Sequence, residues 1–381
     1  MGSESFDAIV IGLGAMGSAA CRSLAQRGVR VLGVEQFAAV HDRGSSHGRT
    51  RICRKAYFEH PNYVPLMHRC YEMWDELSAL AGRELFVRCG LLLAGDGESE
   101  LIRGARLARR RHGLAIETVA ASDAQRRFRD FRIPAGLDVL YEADAGFLRV
   151  EDAVGAQLDQ ARRHGAELRF GQAVRDWSCD ASGVSVTTER GVSHAARLVW
   201  TAGAWSATLL AQLGVALRVR RMMQLWFAVD DRSAYAPRSS PVFAYELGRH
   251  FFYGFPQVDA GMIKVAEHTG GETVEDPSGV DRALRESDTI SVSEFVTAHL
   301  PAASSRIVDH SVCMYTMTPD AHFVVDKHPT CARVVIAAGF SGHGFKLAPL
   351  IGEALADIAL DGETSLPIGF LGLDRLRDNG R

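Results

Sequence analysis

Residues Phe6 to Glu35 read FDAIVIGLGAMGSAACRSLAQRGVRVLGVE. Phe6 to Ile11 is a short apolar run that predicts a strand, and Gly12-Leu-Gly-Ala-Met-Gly17 predicts a tight turn directly after it. A helical stretch to about Gly28 follows, then Val29 to Glu35 predicts a second buried strand ending in an acid. Strand, glycine turn, helix and strand in this order are what a dinucleotide-binding βαβ unit requires. Gly12 permits the turn, Gly14 lets the backbone approach a pyrophosphate, and Gly17 lets helix and strand pack closely. The pyrophosphate would rest on the positive end of the helix. Glu35 is placed to accept hydrogen bonds from ribose hydroxyls, and its charge disfavours a 2′-phosphate and hence NADP. The competing reading is a glycine turn of an α/β protein that binds no nucleotide.

Outward from this unit, 62–80 and 151–164 carry helical periodicity, whereas Gly183 to Gly191 alternates as a strand and Arg197 to Thr201 reads as a buried one. From about 217 to 318 the chain is richer in aromatics and short β-type runs, which suggests a larger antiparallel sheet. Arg333 to Ala338 then predicts a strand, Gly339 to Lys346 a glycine turn and Leu347 to Leu360 an apolar helix. Glycine turns before helices at both ends of one chain predict an α/β (α+β) fold. In it a discontinuous Rossmann-like domain, 1–82, 145–216 and 319–381, receives an inserted substrate domain, 83–144 and 217–318, built on a mainly antiparallel sheet.

Composition narrows the function. The chain has 381 residues, 47% hydrophobic and 23% charged, with a net charge of −3. That size favours two domains, and that charge gives no positive field for nucleic acid or an anionic membrane. The basic run Arg109 to Arg111 reads as a solvated helix face. Seven cysteines are scattered without a CxxC pair, so neither a disulfide framework nor a zinc site is expected. No signal peptide or membrane span is visible before the first strand. A cytoplasmic protein is the expectation. Of 43 basic residues only Lys55, Lys264, Lys327 and Lys346 are lysine, so wherever a generic positive charge is needed this chain uses arginine.

The chain resembles the monomeric sarcosine oxidase and N-methyltryptophan oxidase family of flavoenzymes over nearly its full length. The segments that carry the likeness are GLGAMG, Gly44-Ser-Ser-His-Gly-Arg-Thr-Arg-Ile-Cys-Arg54, Ala145-Gly-Phe-Leu-Arg149 and Phe252-Tyr-Gly-Phe-Pro256. Lys264-Val-Ala-Glu-His268, Cys313-Met-Tyr-Thr-Met-Thr-Pro-Asp320 and Gly339-Phe-Ser-Gly-His-Gly-Phe-Lys346 complete the series. Each is weak alone; their combination in this order is specific. The resemblance implies FAD rather than NAD, joined through its 8α carbon to Cys313. On composition alone Cys313 is one more small apolar core residue.

The same resemblance implies the remaining roles. Lys264, in the apolar setting GMIKVAEH, matches the lysine that activates oxygen, where a fixed cation stabilises developing superoxide. Arg54 and Lys346 match the pair that holds a substrate carboxylate. Tyr253, His268 and Tyr315 match polar positions on the substrate side of the flavin, and His268 could tune the protonation of the amine. His47 and Arg51 match positions close to the flavin, with Val174 and Gly203 also on the cofactor. The turn Gly342, His343, Gly344 would aim N–H groups and a helix dipole at the flavin pyrimidine edge. Two positions depart from the family pattern, Arg49 in place of an acid and Met317 in place of an asparagine. Pocket size is expected to depend on Met222, Trp226 and Ala244.

The function implied is oxidation of a secondary amino acid or related amine to an imine by hydride transfer to FAD, with O2 reduced to hydrogen peroxide, by a monomer. An N-methyl substrate would release formaldehyde. The alternatives are a natural-product or pipecolate-type oxidase that forms a cyclic imine and a flavin dehydrogenase using another acceptor. Beyond these stand a flavin-binding protein without turnover and a nicotinamide dehydrogenase.

Overall fold

The computed structural model describes residues 4–377; the outermost parts of the expected first and last segments, 1–3 and 378–381, lie outside them. Strand Glu4–Ile11 lies inside an eight-stranded sheet and pairs in parallel with Val31–Val34 on one side and Gly191–Trp200 on the other. Val31–Val34 continues to Glu167–Arg169, and Gly191–Trp200 pairs in parallel with Cys331–Ala338. Residues 8–11, 31–34 and 334–338 of these strands are buried on both faces, which is why they read as continuous apolar runs rather than alternating ones. Strands distant in sequence thus flank the glycine turn.

Helix Ala15–Gln26 packs against Val150–Arg163 and Ala348–Asp361. The glycines explain its close approach. Gly12 has φ +84°, and a Cβ there would sit 2.6 Å from the Thr201 carbonyl oxygen; a Cβ at Gly17 would meet the Gly12 carbonyl oxygen at 1.8 Å. Both clashes are with backbone, which cannot swing aside.

The second sheet has nine strands. Its order runs Glu272–Val274, Arg218–Ala228, Met262–Glu267, His250–Gly254, Val242–Leu247, Leu91–Gly95, Asp138–Glu142, Ile116–Val119. Ile307–Met317 also pairs with Arg218–Ala228. All its pairs are antiparallel except Val242–Leu247 with Leu91–Gly95. A small sheet of Thr50–Cys53, Gly146–Arg149 and Phe86–Arg88 completes the strands.

The expected helices at 62–80 and 151–164 are Tyr63–Ala81 and Val150–Arg163, and Arg109 to Arg111 are exposed on helix Glu100–His112. Helix Ile290–His299, inside the region read as rich in short β-type runs, was not expected; its Val292, Phe295 and Val296 bury against the nine-stranded sheet. The cysteine reading needs one correction: Cys179 and Cys331 form a disulfide, 152 residues apart in sequence. Strands 174–179 and 331–338 bring the two together in the eight-stranded sheet, a proximity that sequence spacing does not carry. Among the described residues no helix is long and apolar enough to cross a membrane.

Candidate active site

A cavity of about 480 Å³ opens over the glycine turn. Gly12, Gly14 and Glu35 line it from the N-terminal unit, Val174 and Gly203 from the middle, and Cys313, Tyr315, Gly342 and Gly344 from the C-terminal third. Glu35 accepts N–H bonds from Leu13 at 2.8 Å and Phe37 at 3.0 Å, with His41 Nε2 3.4 Å away. Burial would raise its carboxyl, but His41 and those N–H groups hold it below the ordinary value. It therefore presents a carboxylate, the acceptor that ribose hydroxyls need. An adenine dinucleotide fits this donor and acceptor set: a glycine edge with no side chains at a helix start, an ionised acid beyond it, and room for a second ring system toward Cys313.

The Cys313 side of the cavity is held by the segment 44–51. Ser45 Oγ donates to the Met314 carbonyl at 2.6 Å, Ser46 Oγ accepts from Ala15 N–H at 3.0 Å, and Arg51 Nη2 lies 3.0 Å from the Ser45 carbonyl. The same Arg51 nitrogen is 3.3 Å from Cys313 Sγ. Cys313 is 1% exposed and packs with Met222, Tyr315 and Met317. Arg51 is half-buried; desolvation would pull its pKa down, but Cys313, Tyr253, Tyr315 and Glu151 around it hold it above the ordinary arginine value. His47 lies just outside both cavities. Its Nε2 is 3.1 Å from the Gly44 carbonyl and its Nδ1 3.1 Å from Ser311 Oγ, which fixes one neutral tautomer, and burial with Arg51 nearby pushes its pKa to about 3.

A second, smaller pocket of about 70 Å³ adjoins the first, and Arg51, Tyr315, Gly342 and Phe345 line both. Its polar residues are Arg54, Glu59, Tyr253, His268, His343 and Lys346, and its apolar wall includes Leu91, Leu93, Ala244 and Phe251. Arg54 and Lys346 are 5% exposed each. The Arg54 fork is engaged: its Nη2 is 2.7 Å from both oxygens of Glu59, and the guanidinium lies over the rings of Tyr57 and Phe58. Burial would raise Glu59, but Arg54, His343 and Lys346 hold it at about 2. Lys346 Nζ donates to the His343 carbonyl at 2.5 Å. Burial and Arg54 bring its pKa to about 7, so it changes charge near neutrality.

His268 Nδ1 is 3.2 Å from Tyr315 OH, and Tyr315 OH is 3.5 Å from Tyr253 OH. Burial takes His268 to about 4, so it is neutral near pH 7, while both phenols are pushed up by burial and remain protonated. The three form a neutral donor and acceptor chain along one wall. His343 is set by two bonds, Nε2 to the Ala321 carbonyl at 2.9 Å and Nδ1 to Tyr57 OH at 2.7 Å, and is likewise neutral with a pKa of about 3, first from burial.

Lys264 lines neither pocket. It is 3% exposed, and its Nζ donates to the carbonyls of Gly48 at 2.7 Å and Thr50 at 2.8 Å, over the Phe255 ring at 4.4 Å. The positions expected to size the pocket separate: Ala244 lines the small pocket, whereas Met222 packs on Cys313 and Trp226 lies under Arg49 and near Lys264. Arg49 also faces away from both cavities, its guanidinium paired with Asp259 at 2.9 Å and with Asp309. Gly17 serves packing and touches no cavity. Sequence reading passed over Glu59, whose only signal is a carboxylate five residues beyond Arg54, and over Ser45, Ser46 and Glu151.

The family described as FAD dependent oxidoreductase matches residues 7–358. The chain is 38% identical over 379 residues to a monomeric sarcosine oxidase of Streptomyces avermitilis, covering 98% of each. It is 34% identical over 362 residues to an N-methyl-L-tryptophan oxidase of Salmonella enteritidis, covering 94% of this chain and 96% of that one. Among solved structures, NikD, an unusual amino acid oxidase essential for nikkomycin biosynthesis, superposes with a TM-score of 0.86 at 26% identity, covering 97% and 98%. An L-proline dehydrogenase from P. horikoshii shares the fold with a TM-score of 0.84 at 22% identity, covering 99% of each chain.

Proposed function

The chain belongs to the FAD-dependent oxidoreductase family, and from that premise we propose that it oxidises a small secondary amino acid, N-methyl or cyclic, to an imine, with O2 reduced to hydrogen peroxide. The observation that carries this reading is the junction of the two cavities: a dinucleotide-sized space and a small pocket with two buried cations share Arg51, Tyr315 and Gly342. When bound, FAD supplies the two-electron acceptor for the substrate C–H bond and passes the electrons to O2.

The protein's part is to bind, orient and balance charge. Arg54 and Lys346 hold the carboxylate, Lys346 most strongly while protonated. His268, Tyr315 and Tyr253 orient the amine, and neutral His268 favours the unprotonated amine whose lone pair drives hydride loss. Apolar residues Leu93, Ala244 and Phe251 exclude water from the reacting carbon. The backbone of Gly342 and Gly344 and the start of the helix beyond them line the large cavity, where they would stabilise the charge that reduction leaves, while the His343 N–H is taken by the Phe340 carbonyl at 3.0 Å. Lys264 supplies the cation beside developing superoxide. Released imine hydrolyses in water, giving formaldehyde from an N-methyl substrate.

We further propose a thioether from Cys313 Sγ to the flavin 8α carbon. Its support is a buried thiol that lines the large cavity, with Arg51 Nη2 3.3 Å from its Sγ. The separation into a cofactor domain and an inserted domain at 83–144 and 217–318 is proposed on the sheet membership of those segments. A monomer is supported by the name of the Streptomyces relative, and a cytoplasmic site by composition.

A substrate panel tests the reading. Sarcosine, N-methyltryptophan, proline and pipecolate are mixed anaerobically with the purified yellow protein, then air is admitted and peroxide and formaldehyde are measured. Bleaching followed by peroxide supports an oxidase, and formaldehyde separates N-methyl from ring oxidation. Bleaching without peroxide in air turns the assignment to a dehydrogenase.

A further inference from the structure

The turn that holds Lys264 has an unusual build. Gly48 has φ +89° and Arg49, a side-chain-bearing residue, has φ +68°. Two successive residues in the left-handed region cost roughly 1–2 kcal/mol at the non-glycine position alone, so other contacts must impose the conformation. A Cβ at 48 would also lie 1.9 Å from Gln224 Oε1, so the Gln224 side chain would have to move aside. The shape has one consequence for chemistry: it turns the carbonyls of Gly48 and Thr50 onto the same Lys264 Nζ.

What imposes it is Glu151, in the first turn of helix Val150–Arg163. Its Oε1 accepts from Gly48 N–H at 2.7 Å and from Arg49 N–H at 3.0 Å, and its Oε2 is 3.1 Å from the Arg49 nitrogen. The Arg49 side chain fastens the other face of the turn through Asp259 and Asp309. The groups around Lys264 are the Phe255 and Trp226 rings, the two carbonyls, the cations Arg51 and Arg49, the Cys313 thiol and Glu151. Burial, then Arg51, pull the ammonium toward neutrality, and Glu151 is the carboxylate that opposes them. The acids paired with Arg49 serve that arginine. Without Glu151 the carboxylate that opposes the pull of burial and Arg51 on the Lys264 ammonium would be lost.

We infer that Glu151 is the positioning residue of the oxygen-reactive lysine: one carboxylate both moulds the 48–50 turn whose carbonyls hold Lys264 Nζ and favours the charged form of that amine. The inference rests on the reading of Lys264 given above. It assigns Glu151 a part in the step that consumes O2 and none in the step that oxidises the amine, since Glu151 lines neither cavity.

The scarcity of lysine makes a direct test practical. Protein labelled with 15N at lysine carries four side-chain signals, and Lys264→Met identifies one by its loss. In Glu151→Gln the Lys264 signal should titrate about one pH unit or more lower than in the wild type, the shift expected on losing a nearby opposite charge. Amide exchange at Gly48 and Arg49 should rise in Glu151→Ala. In stopped flow, Lys264→Met should slow reoxidation by O2 about a hundredfold and Glu151→Gln about tenfold, with anaerobic reduction by amine changed less than about threefold in both. Glu151→Gln keeps an acceptor oxygen and carries the test if Glu151→Ala does not fold. An unmoved Lys264 titration, or equal slowing of both half-reactions in Glu151→Gln, overturns the inference. Unchanged reoxidation in Lys264→Met overturns instead the oxygen role on which it rests, and that result comes from a different variant.

Discussion

The large cavity and the small pocket it adjoins are made by opposite means. The large one is shaped at its turns by backbone: Gly12, Gly14, Gly203, Gly342 and Gly344 line it where a side chain would fill the space, and largely apolar side chains close the rest. The small one is walled by charged and polar side chains already committed to one another, Arg54 to Glu59, Lys346 to the His343 carbonyl, His268 to Tyr315. A backbone wall is set by local conformation and tolerates no added atom. A side-chain wall is set by balance, so each change there should shift affinity or pH response rather than destroy the site.

The largest expected effect tests the first half of that contrast. Gly17→Val drives a side chain into the Gly12 carbonyl, so the protein should accumulate poorly and purify without flavin colour. A yellow, normally stable Gly17→Val protein would break the account of the turn. Lys346→Met comes next, with kcat/KM for a carboxylated amine down about a hundredfold or more, since a buried charge partner is lost. Affinity for a non-oxidisable carboxylate should also weaken in the wild type as pH rises through about 7, because the depressed lysine is charged below that value and neutral above it. In Lys346→Met that pH dependence should vanish.

Glu59→Gln should act in the opposite direction. Removing the carboxylate that occupies the Arg54 fork frees it for a ligand, and affinity for the same carboxylate should rise about tenfold, read by titration of the flavin spectrum. Weaker binding would instead mean that Glu59 holds Arg54 in its working position.

The smallest effect spreads over both regions. His47, His268 and His343 stay neutral in the folded protein down to about 3, 4 and 3, against 6.5 unfolded. Below pH 6.5 the unfolded chain therefore binds protons that the native one refuses, and stability should fall as pH drops toward 4. The slope is at most about 1.4 kcal/mol per pH unit for each histidine. Glu59 adds in the same direction only below its ordinary value of 4.5. Denaturant midpoints that stay flat between about pH 7 and pH 5 would contradict this.

The contrast also explains what could be read from sequence. The unit from Phe6 to Glu35 is contiguous in its order of strand, turn, helix and strand, so its shape was legible, although Gly12 answers to distant Thr201 and Gly14 to Ser46. The scarcity of lysine supported a role for Lys264 and the resemblance one for Lys346, both at most 5% exposed, while Lys327 is exposed and Lys55 pairs with Asp144. Partnerships were not legible. Glu59, Glu151 and the Cys179–Cys331 disulfide act through residues brought together by sheet pairing, and nothing in their own neighbourhoods distinguishes them from solvated acids or stray thiols. Met222 and Trp226 share a strand, yet one packs on Cys313 and the other lies by Lys264, so neither sizes the small pocket.

The central claim is that the large cavity holds FAD with its reactive ring at Cys313, facing the small pocket. The most direct measurement is to precipitate the purified protein in acid, digest the pellet and map the yellow peptide by mass spectrometry. The account predicts that the flavin stays with the pellet on the peptide containing Cys313. Flavin released to the supernatant with Cys313 unmodified, or found on another residue, would contradict it.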